Sequence, residues 1–296
     1  MKNASVYLFL LLLAFGGDRL IAALMGRQVG ASEFRYSRLY RGEAGAALLL
    51  VGNSRGLTFY QPAVEAETGK TTFNLSYNGM PADLANTLLQ DYLERYPPPE
   101  KILIEITLCD RSNDALIAGF LPYSTYSGRL DSLIAARQPT AWTAGKVSHL
   151  YRYNSEIYQR ALYYSHRADT DWLLDRVISQ QLSEEAGSHR YDVLEPAQHD
   201  YLLDQLREMV AAARGAGSQV ELLINPYFPG FAAQVDHLDM LKRNVESATG
   251  LKVRDYRDAL ADPTAFGDLM HPNKKGAAEY IAILEKDGVL SPAASY

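Results

Sequence analysis

The chain has 296 residues, 47% hydrophobic and 22% charged, enough to bury one substantial core and too apolar for disorder as the main state. Its 35 acidic residues exceed the 29 basic ones for a formal charge of −6, and the basic residues are scattered, which leaves no electrostatic footprint for nucleic acid. Cys109 is the sole cysteine, which excludes a disulfide framework and a cysteine-based zinc site.

In chain order, the first element is apolar. Lys2 precedes an uninterrupted run from Val6 to Phe15, after which Gly16, Gly17, Asp18 and Arg19 intervene before Leu20 to Met25 resumes. The run alone is shorter than the roughly 20 residues that cross a bilayer. A cleaved signal peptide therefore competes with a signal anchor. No small-x-small cleavage site follows the run, so an anchor over residues 1–27 that extends to Met25 is the expectation, with the rest of the chain outside the cytoplasm. Asp18 and Arg19 are either a docking point for a membrane partner or groups at the interface beyond a short, tilted helix.

Beyond a linker around Arg27 to Gly42, short apolar runs alternate with stretches of helical period, as in an α/β domain with a mainly parallel sheet. The strands expected are Ala47 to Val51, Thr72 to Leu75, Ile102 to Thr107, Val220 to Ile224 and, more weakly, Lys252 to Asp255. Pro81 to Tyr96 reads as a helix with proline in its first turn and Pro97-Pro98-Pro99 as its stop. His199 to Ala213 reads as a second helix, ended by Gly215 and Gly217. Residues from about 110 to 198 fit no such alternation. They are polar, weakly helical and rich in tyrosine (Tyr123, Tyr126, Tyr151, Tyr153, Tyr163, Tyr164), and are expected as an insertion at the sheet's carboxyl edge. Those rings suit either a sugar-stacking wall or the packing of a helical subdomain.

Two segments carry the chemistry. Leu49-Leu50-Val51-Gly52-Asn53-Ser54-Arg55-Gly56 is a buried strand running into a glycine-bounded turn that presents a serine at the crevice where such folds bind ligands. A helix cap is the competing reading for that serine. Near the other end, Asp268-Leu-Met-His271-Pro272-Asn273-Lys274-Lys275-Gly276 precedes a helical run from Ala277 to Leu284. A rigid loop that places an aspartate beside a histidine is what a general base requires.

Together these segments resemble the SGNH (GDSL-like) hydrolase superfamily, whose Gly-Asp-Ser block and Asp-x-x-His block match Gly52-Asn53-Ser54-Arg55 and Asp268 to His271. The resemblance implies a flavodoxin-like, three-layer α/β/α sandwich over residues 28–296, with Ser54 as nucleophile and His271 and Asp268 as catalytic partners. It also implies an oxyanion hole from the amides of Ser54 and of Gly79, in Asn74-Leu75-Ser76-Tyr77-Asn78-Gly79, with Asn78 beside the substrate. Two departures stand out. Asn53 replaces the family's aspartate, and Cys109 takes the place of its oxyanion asparagine; losing one such donor costs roughly 10²–10³ in rate, and Asn113, Asn225 or Arg55 are the candidate replacements near substrate. The N-terminal membrane segment, the serine block and the helical insertion are similar to those of proteins that acylate cell-surface polymers, such as alginate-acetylation and teichoic-acid D-alanylation proteins. That similarity implies a polysaccharide acceptor, a membrane-bound O-acyltransferase or other polymer-synthesis partner, and acyl transfer through Ser54. An extracytoplasmic esterase with the same triad and a non-catalytic scaffold are the alternatives. Neither metal-ligand spacing nor a nucleotide loop is present, so no cofactor is expected.

Overall fold

The computed structural model describes residues 2–291. Its principal elements in chain order are α1 (Lys2–Ala31), α2 (Arg35–Arg41), β1 (Leu48–Val51), α3 (Gln61–Thr68), β2 (Thr72–Asn74), α4 (Ala82–Arg95), β3 (Lys101–Glu105), α5 (Asp114–Gly119), α6 (Gly128–Arg137), α7 (Pro139–Val147), α8 (Glu156–Tyr163), α9 (Gln180–Glu184), α10 (His199–Gly215), β4 (Gln219–Ile224), α11 (Leu238–Thr249), β5 (Val253–Asp255) and α12 (Lys274–Lys286). The chain folds as two compact units. One combines the chain up to Glu43 with Asp114–Asp169, and the other combines Ala44–Asn113 with the chain from Thr170. The residues expected as a single insertion thus divide, with 114–169 in the first unit and 170–198 in the second.

The second unit is α/β. Its five strands are all parallel in the order β2-β1-β3-β4-β5, the flavodoxin-like order, whose switch point falls at β1. β1 and β3 are buried along their whole length, as befits strands covered on both faces, and this is why they read as unbroken apolar runs. Helices α4, α10 and α11 pack in one layer and α3 and α12 in another, giving the three-layer α/β/α architecture. α4 begins after Pro81 and stops at Tyr96, because Pro97 disfavours the helical conformation of the residue before it. β3 stops at Glu105, two residues short of the sequence expectation. The chain there winds into a 3₁₀ turn, Ile106–Cys109, capped by the Glu105 carboxylate accepting from the Thr107 amide.

The first unit is helical. Among α1 residues, Val6 to Leu13 and Phe15 are more than half exposed while Ala22 and Val29 are buried, so only the second half of α1 packs against protein. It does so through small residues: a methyl group added at Gly26 would lie 2.7 Å from the Tyr153 hydroxyl, and one at Gly30 would lie 3.3 Å from that of Tyr126. Phe34, Tyr36, Phe120, Tyr123 and Tyr164 are fully or almost fully buried and in mutual ring contact. Of the six tyrosines singled out in the sequence, Tyr123 and Tyr164 thus belong to the core of this unit, whereas Tyr126, Tyr151 and Tyr163 are exposed. Arg35 makes a buried bidentate pair with Asp169 at 2.9 and 3.1 Å.

α1 is long and apolar enough to cross a membrane and continues unbroken through Gly16, Gly17 and Asp18. Asp18 and Arg19 find partners within their own chain. The Asp18 carboxylate accepts from the Ser148 hydroxyl at 2.6 Å and from the amides of His149 and Leu150 at 2.8 and 3.1 Å. Arg19 donates to the Val147 carbonyl at 3.2 and 3.3 Å. Both side chains are thus engaged by the 147–150 turn of the same chain.

Candidate active site

The serine turn follows from its glycines. A methyl group added at Gly52 would lie 2.8 Å from the Gly56 backbone and 3.0 Å from Glu105, and one at Gly56 would lie 2.4 Å from the Ser76 hydroxyl. Only glycine lets the chain reverse this tightly at the end of β1. Asn53 then caps a 3₁₀ turn, Ser54–Thr58, by accepting from the Arg55 amide at 2.9 Å, while its amide donates to Thr107 at 3.1 Å. The capping role weighed for Ser54 thus belongs to Asn53, and the Ser54 side chain is left for chemistry.

The histidine loop is equally determined. Asn273 caps α12 by accepting from the Gly276 amide at 3.1 Å and donates to the carbonyls of Thr264 and Arg176 at 2.9 and 3.1 Å. Just upstream, one oxygen of Asp268 accepts from the amides of Met270 and His271 at 2.8 and 2.9 Å. Both carboxylate oxygens lie 2.9 to 3.0 Å from Nδ1 of His271, and Nε2 lies 2.9 Å from Oγ of Ser54. Burial works to raise the Asp268 carboxyl, but hydrogen bonds from the His271 ring and the two amides hold it below the usual carboxylate range. The carboxylate therefore stays ionised at neutral pH and keeps the proton on Nδ1, which leaves Nε2 free to accept from the serine.

Ser54, Asp268 and His271 open into a cleft of about 380 Å³ lined also by Leu57, Thr58, Asn78, Gly79, Trp172, Leu173, Leu174 and Pro272. Gly79 sits in a tight turn closed by the Met80 amide on the Tyr77 carbonyl, 3.1 Å, with φ +66°, a conformation that demands glycine. Among the described residues the amides of Ser54 and Gly79 donate to no protein acceptor, and both residues border the cleft.

The remaining sequence candidates behave differently. Asn78 lines the cleft. Cys109 does not: it is fully buried with Sγ 3.7 Å from the Leu202 carbonyl, and burial raises its thiol well above the ordinary range. The early end of β3 displaced the count that set it at the oxyanion position. Arg55 is 1% exposed and stacks 3.5 Å above the Tyr227 ring. Its guanidinium donates to the carbonyls of Met270, at 2.7 Å, and Asn225, and lies 3.5 Å from the Glu105 carboxylate. Asn225 is also enclosed, donating to the Arg55 carbonyl at 2.9 Å and accepting from Tyr280 at 2.7 Å. Arg55 and Asn225 thus brace the serine turn against the histidine loop instead of touching substrate. Asn113 gives its amide to the Gly79 carbonyl at 2.9 Å and supports the Gly79 turn.

Sequence reasoning missed the Trp172-Leu173-Leu174 wall. Trp172 packs edge-on to Tyr77 at 5.3 Å, and Leu174 sits so close to Gly267 that a side chain there would meet it at 2.6 Å. The Lys274 amide donates to the Leu174 carbonyl at 3.2 Å. The usable signal was a tryptophan followed by two leucines inside a polar stretch.

In comparisons with known proteins, neither a family model nor a curated protein matches. Among solved structures, a Bacteroides fragilis protein described as a candidate acylhydrolase is similar over 82% of this chain and 87% of its own, at 12% identity and a TM-score of 0.40. A likeness that distant carries no residue and no activity across.

Proposed function

We propose that this protein is a membrane-anchored, extracytoplasmic serine acyltransferase that moves an acyl group, acetyl being the simplest, onto a hydroxyl of a cell-surface or exported polysaccharide. The observation that carries the acyl-transfer chemistry is the continuous hydrogen-bonded chain from Asp268 through His271 to Ser54 at a cleft of about 380 Å³. In the first half-reaction Nε2 of His271 takes the Ser54 proton as Oγ attacks the donor carbonyl. The resulting oxyanion is stabilised by the Ser54 and Gly79 amides, and His271 returns the proton to the departing group. In the second, an acceptor hydroxyl gives its proton to Nε2 of His271 and attacks the acyl carbonyl, and as the acyl–Oγ bond breaks His271 returns that proton to Oγ, regenerating Ser54. Asp268 orients the ring and offsets its positive charge throughout. The apolar wall of Leu57, Trp172, Leu173 and Leu174 suits the acyl chain and excludes water from one side. A polysaccharide-synthesis partner in the membrane, such as a membrane-bound O-acyltransferase, would supply the acyl donor.

An esterase using the same triad is the second reading. It is favoured by the openness of the site, since the His271 and Asp268 side chains are 28% and 30% exposed. The two separate by partition. The full chain in detergent, given para-nitrophenyl acetate and an oligosaccharide acceptor, forms acetylated oligosaccharide faster than free acetate if transfer is the function. Free acetate alone, unchanged by acceptor, establishes the esterase. Ser54→Ala abolishes both reactions, and unchanged polymer acetylation in cells carrying it points to a scaffold.

A further inference from the structure

In the first half of α1, Val6 to Leu13 and Phe15 are more than half exposed, whereas from Asp18 onward the helix is fastened to the 147–150 turn. Ala4 to Gly17 measures about 21 Å at about 1.5 Å per residue, short of the roughly 30 Å hydrocarbon layer. The exposed apolar surface of α1 does not end there. Leu20, Ile21 and Leu24 are 65%, 49% and 51% exposed, and the polar pair Arg27 and Gln28 follows. Ala4 to Leu24 measures about 31 Å, which matches the layer. A helix seated to that depth carries the fastened turn down with it, and the turn is built for this: Val147 is 72% exposed and Tyr151 41%. Around it the cations Arg19, Lys146 and Arg152 are tied down at short range, to the Val147 carbonyl, Asp131 and the Gly145 carbonyl, so that each meets a partner within the chain near the membrane surface.

Building on the reading of α1 as bilayer-spanning, we propose that the turn from Lys146 to Tyr151 is a second membrane contact, with Val147 and Tyr151 inserted among lipid headgroups and upper acyl chains beside α1. Asp18 is tolerated at that depth because the turn satisfies its carboxylate. The turn thereby fixes how far the first unit sinks into the bilayer.

The test uses site-specific nitroxides on the full chain in nanodiscs of phosphatidylcholine and phosphatidylglycerol. Cys109, the sole cysteine, is fully buried, so Val147→Cys, Leu11→Cys and Lys252→Cys each place one accessible label; Lys252, 92% exposed, is the aqueous reference. The label at 147 is expected to collide with oxygen in preference to a water-soluble nickel chelate, several-fold more than the label at 252 and in the same sense as that at 11. A label at 147 as open to nickel as that at 252, with position 11 in lipid, overturns the proposal. So does low access to both reagents at 147, which marks cover by protein. A label at 11 open to nickel overturns the anchor reading itself.

Discussion

Replacing Asp268 by asparagine tests the division of labour within the site. One carboxylate oxygen accepts from two backbone amides at 2.8 and 2.9 Å and stands 2.9 Å from Nδ1 of His271, and the other stands 3.0 Å from Nδ1. Asparagine keeps its carbonyl on the two amides, because any other orientation leaves them without an acceptor, and so presents its NH₂ group to Nδ1. Two donors cannot face each other. The NH₂ group in place of the second oxygen biases the ring toward carrying its proton on Nε2, where it cannot accept from Ser54, and the carboxylate charge that offsets the imidazolium is lost. The expected fall in kcat is about 10³–10⁴, or roughly 4–5.5 kcal/mol at about 1.4 kcal/mol per tenfold, measured by para-nitrophenyl acetate turnover at pH 7.5. The loop should stay in place, so thermal unfolding should shift by only a few degrees. The sign with pH is fixed as well. The native Asp268 carboxyl lies below its ordinary value, so its contribution to stability is complete above the unfolded value near 4 and is lost as pH falls through the native one. The stability gap between the native protein and Asp268→Asn should be flat above about pH 5 and narrow below it. Turnover within threefold of the native enzyme would refute this role for Asp268.

Other perturbations probe the supports. Glu105→Ala leaves the enclosed Arg55 guanidinium without its counter-charge and should cost roughly 3–5 kcal/mol in urea unfolding; a loss under 1 kcal/mol would show that the pair does not brace the serine turn. Gly79→Ala, at φ +66° and 2.8 Å from the Asn113 amide, should cost roughly 1–2 kcal/mol and lower kcat more than it raises KM, since the displaced amide acts on the transition state. Equal changes in both would place Gly79 outside the oxyanion hole. Asp18→Leu removes the acceptor of the three hydrogen bonds from residues 148–150 and should expose the 146–151 turn to limited proteolysis in detergent; an unchanged cleavage pattern would show that the turn is held otherwise.

The sequence revealed whatever is local. β1 was visible because four consecutive buried positions leave a continuous apolar run, and the serine and histidine segments because each is a short loop whose cap, glycines and reactive group are adjacent in the chain. β5 was faint because it has three residues, of which only Val253 is buried. The Arg55–Glu105–Asn225–Tyr280 brace was invisible, since its members lie far apart in sequence and a charge at a strand end gives no sign of its partner. The clustering of residues up to Glu43 with 114–169 was hidden for the same reason. So was the true place of Cys109, because the 3₁₀ turn that ends β3 is capped by a side chain, the Glu105 carboxylate accepting from the Thr107 amide, and no periodicity encodes that.

Catalysis at this site requires that Ser54 form a covalent acyl intermediate. That requirement is tested most directly by acid-quenching the full chain during turnover of para-nitrophenyl acetate, then measuring intact mass and mapping the peptides. One acetyl group on the peptide containing Ser54, absent from Ser54→Ala and discharged by added oligosaccharide, is the predicted result. Nitrophenol released at equal rates by both proteins, with no acetylated peptide, would contradict it.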